Sequence, residues 1–406
     1  MATDELISAY KAKNDHLIIG IMSGTSLDGV DAVLVGIRKS EGSEPDSVTL
    51  LGQVYVPYSD ELRDRIARLC TLESSRIDDL VYTHFGLSEW YAVAVLRLLS
   101  ETGYPRERID AICMHGQTVW HAPQSQLFPG PNGPIPVKGT LQIGSAAVVR
   151  ERTGIPVISD LRSADMAAGG EGAPLAPYID YLLFGNPDEG RIVQNIGGIG
   201  NATVLPKGGE NSRIFAFDTG PGNMIIDAVV GIGTNGKHRY DPEGSIAAKG
   251  RVSESIVEEL MRDPYFSRLP PKSTGREVYG IDFTRHFLKQ AEEEGLSFED
   301  GVATATAFTA ESIARSYRDF VLPTTSIAKV LVAGGGALNL TLLGMIQERL
   351  PEGIEVSTSN SFGVPDQARE AMAFALLGHE SLVGRPGNLP AVTGARSAVV
   401  LGVITL

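Results

Sequence analysis

Short apolar runs, broken by polar and glycine-rich turns, divide the chain into two rounds of the same order of elements. In the first round strands fall near 17–23, 29–37 and 48–57, helices near 59–70 and 76–102, a strand at 109–114, a helix near 144–153 and a strand at 156–159. Leu80, His84, Leu87, Tyr91 and Val95 recur at helical spacing and carry the long helix. The second round has strands near 191–196, 201–205 and 214–217, helices after Pro221 and near 253–262, 281–294 and 302–321, then a strand at 329–333, a helix at 337–349 and a strand at 354–357. A closing helix near 365–379 carries Pro365 in its first turn, where a missing N–H is tolerated. Strands interleaved with helices predict an α/β fold with largely covered sheets. The segment 128–139, with Pro129, Pro131, Pro134, Pro136 and three glycines, is expected to be a surface loop.

Three turns stand out against this pattern. The strand Ile18 to Met22 breaks into Ser23-Gly24-Thr25-Ser26-Leu27-Asp28-Gly29-Val30-Asp31, which offers unshielded backbone N–H groups, hydroxyls and two carboxylates at i and i+3. Such a turn suits a phosphate chain with its cation, although a plain tight hairpin also favours Gly and Asp. Downstream, Arg191 to Ile196 leads into Gly197-Gly198-Ile199-Gly200-Asn201, again strand, glycine turn, strand. A third strand, Lys329 to Ala333, runs into Gly334-Gly335-Gly336-Ala337-Leu338-Asn339, where a ring or a phosphate can approach the backbone closely. A close-packed strand–helix joint would use the same glycines. The three in order imply duplicated halves with a nucleotide held between two lobes.

Length and charge narrow the picture. With 406 residues the chain exceeds what one core usually serves, so two lobes are expected, 1–184 and 185–363, with 364–406 packing back on the first. No low-complexity linker follows the boundary run at 184–188, which predicts lobes hinged across a cleft. A formal net charge of −14 makes general affinity for nucleic acid or an anionic membrane electrostatically unfavourable. A nucleotide site must then work through local N–H groups and a cation. No apolar run approaches bilayer length, and the acidic start Met1 to Leu6 lacks a signal peptide's apolar core, so a cytoplasmic protein is expected. Two cysteines cannot build a disulfide framework, and Cys113, inside Ile112-Cys113-Met114, reads as a buried thiol.

Candidate chemistry lies at strand ends. Asp160, Arg162 and Asp165 emerge after Val157-Ile158 into the glycine-rich run ending at Pro174, the usual place for catalytic groups in an α/β lobe. A structural ion pair with a helix cap near Pro174 is the alternative. His115, Gln117 and Thr118 follow the 109–114 strand and offer polar groups for sugar hydroxyls, a satisfied core histidine being the alternative for His115. Asp218 ends another strand as a candidate ligand for a metal-bound water, with Thr219 a candidate helix cap. Lys272 and Arg276 share one loop, where solvated charge is the plain reading.

Taken with Leu141-Gln142-Ile143-Gly144, these motifs together resemble the anhydro-N-acetylmuramic acid kinase family over nearly the whole chain. The resemblance implies a two-lobed actin-like ATPase fold shared with hexokinase and Hsp70, with ATP and Mg2+, a cell-wall sugar as substrate, and a homodimer. It implies Asp165 as the general base. It places Gly24, Thr25, Ser26, Leu27, Asp28, Gly29, Val30 and Asp31 with Gly197 and Gly198 at the phosphates, and Gly334, Gly335, Gly336 and Asn339 at the adenosine. Asp28 is the metal-side carboxylate; Glu370 is a second candidate, a solvated helix glutamate being its alternative. His115, Gln117, Thr118, Gln142 and Arg162 fall to the sugar. Two other readings stand beside it: a kinase for another 1,6-anhydro sugar, levoglucosan, and an actin/Hsp70-like ATPase switch acting on a protein partner.

Overall fold

The computed structural model describes residues 3–24, 26–39, 46–208 and 213–406. Its strands, in chain order, are β1 (Asp15–Met22), β2 (Gly29–Arg38), β3 (Ser47–Pro57), β4 (Ala111–Met114), β5 (Gln117–Gly130), β6 (Gly133–Ile143), β7 (Val157–Ser159), β8 (Arg191–Ile196), β9 (Ile199–Leu205), β10 (Phe215–Pro221), β11 (Lys329–Ala333), β12 (Glu355–Thr358) and β13 (Val403–Thr405). The chain divides into two compact units, Met1–Leu183 with Gly363–Leu406, and Phe184–Phe362.

The first unit holds a six-stranded sheet in the order β13-β7-β4-β1-β2-β3. β1 pairs antiparallel with β2 and parallel with β4, and β7 continues the parallel side. The second unit holds β10-β9-β8-β11-β12, in which β8 likewise pairs antiparallel with β9 and parallel with β11. Each unit therefore surrounds one central strand with an antiparallel meander on one side and two parallel strands on the other, and in the first unit β13 adds an antiparallel strand beyond β7. This duplicated α/β arrangement is that of the actin-like ATPases. Central strands are covered on both faces, so they read as continuous apolar runs: Ile18, Ile19 and Ile21 have no exposed surface.

Two glycines seat the closing helix, Asp366–Val383, on the first sheet. A Cβ on Gly20 would overlap the Ala371 carbonyl oxygen and come within 2.8 Å of the Ala375 nitrogen; one on Gly378 would lie 2.7 Å from Cys113 Cβ. Pro365 is the residue before this helix rather than a member of its first turn. Cys113 is fully buried, and burial pushes its thiol pKa up. In the second unit, Phe298–Phe320 begins with a Ser297/Asp300 capping box and runs buried along the sheet; Thr304 and Thr306 donate back to carbonyls one turn earlier.

The expected loop at 128–139 is instead the far part of a β-hairpin. β5 and β6 pair from Gln117↔Ile143 to Gly130↔Gly133. Proline is excluded from strand interiors because it cannot donate to a ladder, but in a two-stranded ribbon both strands are edges. Pro129↔Pro134 and Leu127↔Pro136 are paired positions there. The N-terminal helix Thr3–Lys11 likewise lies outside the elements expected from sequence; it docks through buried Tyr10, whose hydroxyl is 2.5 Å from His379 Nδ1.

Candidate active site

The first glycine turn is built around buried polar groups. Ser23 is buried and its hydroxyl lies 2.7 Å from Tyr91 Oη on the long helix Ile77–Thr102. Leu27 takes φ +55°, in the left-handed region that a side chain rarely adopts, and its N–H donates to the Gly24 carbonyl. Ser26 Oγ donates to Asp28 Oδ1 at 2.7 Å. Gly29 is forced by space, since a Cβ would lie 2.6 Å from the Tyr55 ring; Val30 is core. Thr25 lies outside the described residues. Asp31 is half-buried, and its pKa is pushed up to about 6, by burial first and then by Asp28 and Glu370. The tight seat at Gly20 thus sets Glu370, one residue before Ala371, in the electrostatic company of the turn's two carboxylates.

The catalytic-loop candidate lies in the same unit. Asp160 has φ +56°, and its Oδ1 accepts from the Ser163 N–H at the start of the short helix Ser163–Ala167. Asp165 sits inside that helix and is fully buried. Its Oδ1 accepts from Asn388 Nδ2 at 2.6 Å and Thr393 Oγ1 at 2.7 Å, and its Oδ2 accepts from the Gly172 N–H at 2.8 Å. A carboxylate offers about four acceptor positions, so one remains on Oδ2. Beside that oxygen lies Gly170, whose missing side chain is obligatory because a Cβ would overlap it. No ion pair joins Asp160, Arg162 and Asp165; Arg162 turns to His115 instead.

His115 is buried and its pKa is pushed down to about 3, by burial first and then by Arg162. Arg162 approaches the His115 Nε2 through Nε at 3.0 Å and Nη2 at 2.9 Å, and donates from Nη1 to the Gly172 carbonyl at 2.6 Å. The imidazole is therefore neutral with Nε2 as the acceptor, and Arg162 ties it to the loop that holds Asp165. Gln117 is fully buried; its Nε2 donates to the Gly24 carbonyl at 3.0 Å, while its Oε1 has no partner among the described residues. Gln142 Nε2 donates to Thr118 Oγ1 and Thr140 Oγ1 across the base of the hairpin. The sugar-side candidates of the sequence are thus brought together, with Gln117 also fixing the first turn.

In the second unit, Gly197 and Gly198 accept from the start of the helix Asn223–Gly233 and the residue before it: Asn223 N–H reaches the Gly197 carbonyl at 2.7 Å, and Gly222 N–H the Gly198 carbonyl at 2.9 Å. The residue before that helix is Gly222, not Thr219, which is buried in β10 with its hydroxyl 3.3 Å from Gln194 Nε2. Gly334 has φ +79°, and a Cβ there would lie 2.8 Å from Asn195 Oδ1. Gly336 packs flat on Ile196, and Gly335 faces Asn223 Nδ2. Asn339 caps the helix Leu340–Arg349 through Oδ1, which accepts from Leu342 N–H at 2.9 Å. Asp218 Oδ2 accepts from Thr274 N–H, and burial raises its pKa. Lys272 is not a solvated cation. It is buried between the Tyr265 and Phe320 rings, 4.6 Å from each centroid, and burial lowers its pKa to about 8.

Sequence reasoning missed Asn388, Thr393 and Lys138. Lys138, on β6, donates from Nζ to the carbonyls of Gly169 at 3.2 Å and Gly170 at 3.4 Å. Asn388 and Thr393 fall in a run punctuated by Gly384, Gly387, Pro390 and Gly394, where a polar residue reads as a turn former.

A duplicated α/β fold with glycine turns at matching strand ends and a buried, hydrogen-bonded carboxylate is the setting of a phosphotransferase. The family model described as anhydro-N-acetylmuramic acid kinase matches residues 16–406. The kinase of that name from Caldanaerobacter subterraneus is 43% identical over 99% of this chain and 100% of its own length; that from Salinibacter ruber is 41% identical over 99% of each. The chain belongs to the anhydro-N-acetylmuramic acid kinase family. Among solved structures, component A of (R)-2-hydroxyglutaryl-CoA dehydratase from Acidaminococcus fermentans is similar at 13% identity and TM-score 0.43, over 90% of this chain and 99% of that one.

Proposed function

We propose that this enzyme transfers the γ-phosphoryl group of ATP to O6 of anhydro-N-acetylmuramic acid while water opens the 1,6-bridge, giving N-acetylmuramic acid 6-phosphate and ADP in peptidoglycan recycling. The observation that carries this reading is Asp165, three of whose acceptor positions are filled by fixed donors while one remains beside a bare glycine. A 1,6-anhydro sugar has no O6 hydroxyl to deprotonate, so the base must act on water. Asp165 takes that proton as the water oxygen bonds to C1; the C1–O6 bond breaks, and O6 bonds to phosphorus as ADP leaves. Gln117 Oε1, a buried acceptor, suits a substrate hydroxyl, and neutral His115 steadies Arg162 beside the same loop.

By family resemblance, phosphate-binding roles go to the Gly24–Asp31 turn in the first unit and to Gly197 and Gly198 in the second, and the adenosine to the Gly334–Gly336 turn with Asn339. Magnesium fits the first turn, because Asp28, Asp31 and Glu370 crowd negative charge that a divalent cation relieves. Among the described residues no group of three metal-ligating side chains forms a cage, and magnesium needs none, since it keeps waters and phosphate oxygens. Asp28 and Glu370 would hold it, and it would neutralise charge on the phosphates. A cytoplasmic location follows from the use of ATP, and a homodimer from the family resemblance.

The test is the mass of the product from anhydro-N-acetylmuramic acid, ATP and magnesium. The reading requires the mass of the sugar plus one phosphoryl group (HPO3) and one water. A product lacking the water, or no product from this sugar alongside one from levoglucosan, would overturn it.

A further inference from the structure

We propose that Lys138 is a positioning residue for the reaction, and that the β5–β6 hairpin is the strap through which it acts on the Asp165 loop. The inference rests on the assignment of Asp165 as the base.

The hairpin has an irregular middle. Ala122 pairs with Gly139 and Gln126 with Val137, so the three residues 123–125 stand opposite Lys138 alone. A bulge of this kind bends a ribbon and re-aims the side chain at its centre. Here it divides the hairpin: from Leu127 to Val137 the large apolar side chains Leu127, Phe128, Ile135 and Val137 are exposed, whereas Lys138 is half-buried. Its ammonium bridges the carbonyls of Gly169 and Gly170, donating to both. Hydrogen bonds from a charged donor are the strong ones.

Those two carbonyls belong to the backbone that encloses the carboxylate. Gly170 N–H donates to the Asp165 carbonyl, Gly172 N–H to Asp165 Oδ2, and Gly170 lies against that same oxygen. The loop pivots on glycines, Gly169 at φ +94° and Gly172 at φ +69°, so its own sequence does little to fix it. The restraint comes from outside. The Arg396 backbone N–H holds the Ala168 carbonyl, and Lys138 holds the next two. At its base the same hairpin holds the first glycine turn through Gln117. One ribbon thus pins the phosphate turn at one point and the catalytic loop at another. Removing the ammonium leaves the Gly169 and Gly170 carbonyls without their side-chain donor and loosens the backbone that places the Asp165 carboxylate against the attacking water.

Lys138→Met keeps the stem and removes the charge and donors; Lys138→Arg keeps both. The first should lower kcat by about ten- to a hundredfold, the cost of a displacement on the order of 1 Å at a reacting group, with the KM for ATP within about twofold of the parent. Lys138→Arg should recover most of the loss. Amide hydrogen exchange of the ligand-free enzyme should speed up over 166–172 in Lys138→Met and stay unchanged over 21–24 and 26–29. Unchanged kcat, or unchanged exchange over 166–172, would overturn the proposal, as would an equal loss in both variants. The exchange readout needs no substrate, so it separates the two claims. An Asp165→Asn enzyme at full turnover would remove the base and leave the exchange contrast standing.

Discussion

Gly170 is the residue on which the Asp165 site turns most sharply, because a Cβ there would overlap the buried Oδ2. Gly170→Ala should lower kcat by about a hundredfold or more, with ATP affinity unaltered, since its methyl group overlaps the oxygen that must accept the proton. Steady-state rates with isothermal titration of nucleotide would check this, and a kcat near the parent value would contradict it. His115 makes a second demand. Its folded pKa of about 3 lies below the ordinary 6.5, so the unfolded chain binds the extra proton in that interval. The stability gained by holding this ring neutral is complete above pH 6.5 and is lost as pH falls toward 3, at up to about 1.4 kcal/mol per unit. The His115 ring resonances should therefore not titrate between pH 8 and 5; a midpoint near 6.5 would refute the buried neutral ring. Neither feature is visible in sequence, where Gly170 is one glycine of several and His115 one polar residue after a strand.

At the scale of elements, the apolar runs located β1–β4, β7–β12 and most of the longer helices, because central strands and buried helices are apolar throughout or periodic. They did not locate the helix Thr3–Lys11, β13 or the hairpin, the last because Pro129, Pro131, Pro134 and Pro136 argue against a strand wherever both edges are paired, and whether an edge is paired is a tertiary fact. The closing helix shows the converse. Its amphipathic pattern is legible, but its seat on Gly20 is set by a residue more than three hundred positions earlier. Gly20→Ala should lift that helix from β1, destabilise the first unit by about 1–3 kcal/mol as overpacking does, and displace Glu370. Chemical denaturation reads the first effect, and a raised magnesium requirement the second; a variant of parental stability and magnesium dependence would show that the helix can shift at no cost.

Over the whole molecule, duplication was readable because the glycine turns recur at equivalent strand ends, and the two sheets share a five-strand pairing order to which β13 is added in the first. The surroundings of the base were not readable. Asn388 and Thr393 reach Asp165 from 223 and 228 residues away, and nothing local marks them. The account's central claim joins these levels: Asp165 activates water against C1 while O6 passes to phosphorus. Turnover in ¹⁸O-water, sampled early and with preformed product as the exchange control, tests it most directly. Label must appear on the anomeric hydroxyl and be absent from the phosphate ester, because O6 stays with the sugar when C1–O6 breaks. Label in the transferred phosphoryl group, or an unlabelled anomeric oxygen at early times, would contradict the claim.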